Sequence, residues 1–179
     1  MTERGFILFN TAIGRCGIAW GARGIVAVQF PEASDAETRR RLTWRCADAR
    51  EGTPPPGVHR AIDSIVALLR GEHRDLSDVT LDMERVPGFD RRVYEVTRAI
   101  PPGATLSYGE VGVRRGGREL ARDVGQALGR NPFAIVVPCH RVLAAGGKIG
   151  GFSTNGGIAL KERLLFIEGA RDSLAPALF

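Results

Sequence analysis

Three cysteines, at positions 16, 46 and 139, are all that this 179-residue chain contains. An odd, widely spaced set argues against a disulfide framework and for free thiols in a reducing compartment. No Cys or His pair has zinc-site spacing, so no metal is expected. No apolar run approaches the length of a membrane span. No signal peptide precedes the first apolar segment, so the expected location is the cytoplasm. Internal repeats and low-complexity segments are missing as well.

Lysine is nearly absent, since 23 of the 25 basic residues are arginine. The net charge is +5, and it is unevenly placed. Residues 1–85 hold 12 basic and 12 acidic side chains, whereas residues 86–179 hold 13 basic and 8 acidic, so the excess lies in the second half. A basic half is compatible with a nucleic-acid partner, although modest positive charge also aids solubility.

Periodicity gives the organisation. Phe6–Phe9, Cys16–Trp20 and Ile25–Phe30 read as three strands of an antiparallel meander separated by Gly and Arg turns. Glu37–Arg50 is expected to be helical, with an exposed run at Arg39, Arg40 and Arg41. Thr53–Gly57 is a breaker. A helix follows over Arg60–Arg70, with Ile62, Ile65, Val66 and Leu69 on one face. Pro87-Gly88 marks a boundary, which divides the chain into residues 1–85 and 86–179. Phe89, Val93, Val96 and Ile100 recur at helical spacing until Pro101-Pro102 ends the helix. Two short helices, Tyr108–Val113 and Arg118–Leu128, flank a Gly-bearing turn and resemble a helix-turn-helix. A last helix is expected over Ile158–Glu168.

The chemistry points to Pro138-Cys139-His140-Arg141-Val142. The apolar run Phe133–Val137 reads as a strand, and it delivers a thiol and an imidazole at its end. A thiol in apolar surroundings has a raised pKa and is a poor nucleophile unless a base activates it. His140 is the candidate base. Neighbours on a regular strand point to opposite faces. Cys139 and His140 can therefore cooperate only if Pro138 breaks the strand or a water bridges them. A cysteine-nucleophile hydrolase with a Cys-His-Glu set is one alternative; the helix-turn-helix and basic half argue against it.

Five segments occur in order: Ser107-Tyr108-Gly109-Glu110, Ala121-Arg122-x-Val124-Gly125-x-Ala127, Asn131-Pro132, the Pro138–Val142 pentapeptide, and Lys161-Glu162-x-Leu164-Leu165-x-x-Glu168-Gly169. Together, over roughly residues 86–170, they resemble the O6-alkylguanine-DNA alkyltransferases. The resemblance implies an α+β fold: an N-terminal antiparallel-sheet, ribonuclease-H-like domain, then a mostly helical, winged-helix-like domain with the helix-turn-helix. The partner it implies is double-stranded DNA containing alkylated guanine, bound by a monomer. No cofactor is implied, because the DNA itself is the alkyl donor.

The same resemblance assigns roles. The lesion lies inside the stacked duplex and must be flipped out, at a cost of a few kcal/mol. The second helix, with Ala121 and Arg122, would enter the minor groove, and Arg122 would fill the gap. Tyr108 would rotate the 3′ phosphate and help protonate the leaving guanine. Cys139 would attack the alkyl carbon, His140 would take its proton through a water, and Glu168 would orient the imidazole. Asn131 would brace the turn before Cys139. Val142, Ser153 and Thr154 would read the guanine edge, with Phe152 beside them. Gly125 and Arg130 complete the expected DNA contacts together with Arg141, which reads as phosphate-facing or structural. The product is a thioether, so each molecule would act once on O6-alkylguanine, with O4-alkylthymine a second candidate.

Phe152 stands where the family often has Tyr, and Thr154-Asn155 lengthens its loop by about two residues. Asp123 follows Arg122, where a small neutral residue is usual. Gly112, Gly116 and Gly117 weaken the first short helix, since Gly costs about 1 kcal/mol against Ala. The alternative in another class is a non-catalytic protein that recognises alkyl damage. Cys139 argues against it, because a pure binder has no use for a thiol there.

Overall fold

The computed structural model describes residues 3–170. The expected second half runs to residue 179, so its last nine residues lie outside the described range. Strands β1 (Gly5–Thr11), β2 (Gly14–Gly21) and β3 (Gly24–Gln29) form the expected antiparallel meander. A short β4 (Arg50–Glu51), unforeseen in the sequence, adds parallel to β1 and gives the order β3-β2-β1-β4.

Helix α1 (Asp35–Trp44) starts at Ser34, whose hydroxyl accepts from the Glu37 amide at 3.2 Å. It ends well before the expected Arg50, because Arg50 instead belongs to β4, pairs with Gly5 and donates its amide to the Arg4 carbonyl just before β1. Helix α2 (Pro56–Leu69) starts earlier than expected, inside the proline run. Proline is tolerated in the first turn because its missing N–H would have no helical partner there. Ala61, Ile65, Leu68 and Leu69 are buried, while Ile62 and Val66 sit half-buried at the edge of that face.

Both faces of the sheet are covered. Leu42 and Cys46 pack on Phe6, Leu8, Ala19 and Ala27 on one side. The α2 face packs on Phe9, Ile18, Trp20 and Ile25 on the other. The β3 edge is occupied by chain from elsewhere: Ile25 N donates to Thr80 O at 2.9 Å, and Val28 N to Pro132 O at 2.9 Å. An edge covered this way offers no template for another strand.

The second half is built on α3 (Gly88–Arg98), α4 (Tyr108–Arg115), α5 (Ala121–Gly129) and α6 (Gly157–Ile167). A tiny parallel pair, β5 (Leu106–Ser107) and β6 (Val142–Leu143), ties the start of α4 to the segment after Cys139. The second core joins Val93, Val111, Val124, Ala127, Phe133, Val137 and Val142. Helix α4 has a capping box, with Ser107 and Glu110 each satisfying the other's amide. Gly112 in its middle has a packing reason. A Cβ there would lie 2.7 Å from the Gly117 carbonyl oxygen. The glycine that weakens the helix thus lets the helix-turn-helix close. The second helix is shorter than expected, because Arg118–Leu120 forms a separate 3-10 turn before α5.

The expected strand over Phe133–Val137 is a correction. Only Phe133 bridges to β3; the chain then folds into tight turns. Val137 N donates to Phe133 O, and Val136 N to Ala134 O. Ile135 has φ +73°, a left-handed value that branched residues rarely adopt. The run is apolar because it is buried on all sides: Ala134, Ile135 and Val136 join the sheet core, Phe133 and Val137 the helical core. A short apolar run does not distinguish a strand from such a plug by periodicity. No helix among the described residues is long and apolar enough to cross a membrane.

Candidate active site

Asn131 holds the plug at both ends. Its side-chain amide donates to Val137 O at 2.9 Å, and its oxygen accepts from Phe133 N at 2.9 Å. Pro138 follows, and Cys139 opens a 3-10 turn over Cys139–Arg141 instead of ending a strand. That turn removes the face objection. Cys139 is half-buried in a pocket of about 250 Å³, and His140 is fully buried behind it.

The imidazole is held from one side. His140 Nε2 lies 2.8 Å from Glu168 Oε1. This leaves Nδ1, which is buried and makes no hydrogen bond to the described residues. Glu168 is itself gripped by Arg141, whose Nε and Nη2 donate to its two oxygens at 2.9 and 2.8 Å. Burial pushes the Glu168 carboxyl up, but His140 and Arg141 outweigh it and hold it down to about 2. Burial pushes the Cys139 thiol up; Asn131 and the Lys161 charge act in the opposite direction.

Tyr108 begins α4 and is half-buried, and burial raises its phenol pKa, with Cys139 adding to the effect. Gly150 has φ +73°, and a Cβ there would stand 3.3 Å from the Tyr108 ring, so this loop approaches the tyrosine closely. Phe152 sets its ring edge-on to Phe30, with centroids 5.6 Å apart. Phe152 thus contacts the sheet half.

The pocket brings together Tyr108, Gly125, Asn131, Cys139, Phe152, Ser153 and Thr154. Val142 is not on its surface; it is fully buried, and its carbonyl accepts from Lys161. Ala121 is half-buried and Arg122 exposed at the start of α5. Arg141 is a correction. It is 5% exposed and spends its donors on Glu168 and the Ile100 carbonyl, so it does not reach phosphate. Arg130 is exposed on one side but forms a two-pronged ion pair with buried Asp90.

Two features escaped the sequence reading. Residues of the sheet half, Val28, Phe30, Arg41 and Arg45, form part of the pocket wall, which no local pattern signals. Lys161 is fully buried behind it. Its sign was legible: Lys161 shares a helix face with Leu164 and Leu165, where an apolar residue is the rule.

Residues 88–170 match the family model of the 6-O-methylguanine DNA methyltransferase DNA-binding domain. The methylated-DNA–protein-cysteine methyltransferase of Methanothermobacter thermautotrophicus is 37% identical over 153 residues, covering 86% of this chain and 78% of that relative. The one from Mycobacterium bovis is 45% identical over 126 residues, covering 70% and 72%. A DNA base-flipping protein of Thermus thermophilus is 41% identical over 114 residues, covering 62% and 73%. The crystal structure of Mycobacterium tuberculosis OGT in complex with DNA superposes with a TM-score of 0.73 at 34% identity, covering 97% of this chain and 96% of that one. The fold, the cysteine pocket and these likenesses agree: the chain belongs to the methylated-DNA–protein-cysteine methyltransferase family.

Proposed function

We propose that this protein repairs DNA by moving an alkyl group, methyl in the first instance, from O6 of guanine in a duplex onto Cys139. The observation that carries the reading is a half-buried cysteine in a pocket backed by the His140–Glu168–Arg141 chain. The lesion enters by base flipping. Arg122, exposed at the start of α5, fills the vacated space, and Ala121 lets that helix approach the groove.

In the reaction the thiol proton passes to His140, through Nδ1, because Glu168 occupies Nε2. Sulfur bonds to the alkyl carbon, and the carbon–O6 bond breaks. Its electron pair goes to guanine, which takes up a proton with help from Tyr108. Thiol and alkylguanine become thioether and guanine with no other reactant. Water does not cleave the thioether at neutral pH, so one molecule repairs one lesion. Asn131 braces the nucleophile turn, and Phe152, Ser153 and Thr154 shape the space for the alkyl group.

The chain acts as a monomer in the cytoplasm. Residues 1–85 serve as scaffold and residues 86–179 as the transfer unit, although the scaffold also supplies pocket wall through Phe30 and Arg45. A purely damage-recognising role leaves the buried base behind Cys139 without purpose. The test is intact-mass spectrometry after mixing with a duplex bearing one O6-methylguanine. One added methyl per protein, on the Cys139 peptide, is expected. Cys139→Ser should gain none yet bind the duplex as before. Methyl on another residue, or binding lost together with transfer, would sink the assignment.

A further inference from the structure

Arg45 is a cation on the pocket wall that the transfer reaction as written does not use. It caps the C-terminal end of α1, where its amide donates to Leu42 O at 3.3 Å. Together with Arg41 and Glu32 it lines the pocket that holds Cys139. Glu32 is the only carboxylate in that lining, and it is occupied. It accepts from Gln29 Nε2 at 3.0 Å and pairs with Arg41 Nε at 3.6 Å. Arg45 makes no ion pair and no side-chain hydrogen bond among the described residues. Its side chain is exposed, yet the protein around it removes enough water to lower its pKa; Tyr94 opposes that effect and Arg41 adds to it. Other arginines of the sheet half meet carboxylates, as Arg4, Arg15, Arg39 and Arg40 do, and Arg45 stands apart from them.

An unneutralised guanidinium on the wall of a binding pocket favours an anion in that pocket, and a carboxylate matches its planar fork. A carboxylate bound there has a particular need of the cation. Cys139 attacks as a thiolate, and a thiolate repels an anionic group held beside it. A positive charge on the same wall offsets the repulsion, whereas a neutral methyl group gains nothing from it. We propose that Arg45 is a specificity-determining residue for acidic O6-alkyl groups: its guanidinium pairs with the carboxylate of an adduct such as O6-carboxymethylguanine while Cys139 attacks the methylene carbon. The proposal rests on the alkyl-transfer reading above and adds to it the charge of the group transferred. Sulfur bonds to the methylene carbon, the bond from that carbon to O6 breaks, and its electron pair stays with guanine. The thiol gives up one proton through His140, guanine takes up one, and the carboxylate stays unchanged on the thioether.

The test compares two duplexes that differ only in charge. One bears O6-carboxymethylguanine, the other its neutral amide, O6-carbamoylmethylguanine. Single-turnover rates are read by mass on the Cys139 peptide, with an O6-methylguanine duplex alongside. In Arg45→Met the ratio of carboxylate to amide rates should fall by about threefold to fivefold, the upper range for an exposed ion pair. Arg45→Lys should restore most of it. The ratio cancels any general loss of folding or of DNA binding. Equal slowing of both duplexes would assign Arg45 to the DNA backbone and overturn the proposal. So would a parent protein that takes up methyl but no carboxymethyl. If the parent protein takes up no methyl, the transferase reading fails. The affinities of Cys139→Ser for the same two duplexes, with and without Arg45→Met, then decide the anion contact separately. A preference for the carboxylate that disappears with Arg45→Met supports the contact, and an affinity ratio that Arg45→Met leaves unchanged overturns it.

Discussion

The two halves handle charge in opposite ways. In the sheet half cations meet anions at the surface: Arg4 with Asp48, Arg15 with Asp35, Arg39 with Glu51, Arg40 with Glu37. Exposed pairs of this kind contribute about 0–1 kcal/mol each. The helical half buries its charges and leaves its outer face unneutralised. His140, Arg141, Glu168 and Lys161 are all in the interior. Exposed Arg114, Arg118 and Arg122, on and before the second helix of the helix-turn-helix, have no ion pair among the described residues. Surface pairing makes one half electrically inert. Inner pairing builds a reactive site, and the free outer arginines are available to phosphate.

The sharpest way to break this contrast is Glu168→Gln. It strands a buried Arg141 and loosens His140, so a stability loss of about 3–5 kcal/mol is expected in urea unfolding, with transfer severely slowed. A loss below 1 kcal/mol would mean that the buried chain behaves like a surface pair. Acid tests the same group without mutation. The folded pKa of Glu168, about 2, lies below its ordinary 4.5. Its contribution is therefore complete above 4.5 and fades as pH falls towards 2. The linked loss is about 3 kcal/mol, and denaturant midpoints in that window should fall less steeply in Glu168→Gln. Smaller, and confined to DNA, is the effect of Arg122→Ala. Single-turnover transfer should drop about tenfold to a hundredfold, on the scale of the few kcal/mol that unstacking a base costs. Arg40→Ala, in the sheet half, should change neither transfer nor duplex affinity, and should shift stability by under about 1 kcal/mol.

Much of the fold was legible. Alternating strands, capping residues and proline stops give the meander, α3 and the helix-turn-helix, because these are local signals. The plug before Cys139 was misread as a strand, since Phe133–Val137 owes its apolarity to two cores that meet around it. Arg141 is ambiguous between phosphate and a structural role for a related reason. An arginine beside a nucleophile looks the same in sequence whether it faces phosphate or a carboxylate 27 positions away.

By itself the sequence determined the ordered motifs, the candidate nucleophile and base, the basic second half and the strand meander of the first half. These follow from residue chemistry and spacing along the chain. Tertiary structure alone decided that Cys139 leaves a turn, that His140 offers Nδ1, that Arg141 points inward, and that Lys161 lies behind the pocket walls. The physical reason is that the reactivity of a charged or nucleophilic group depends on what desolvates and faces it. Here those partners come from segments far apart in the chain, which only folding brings within a few ångströms.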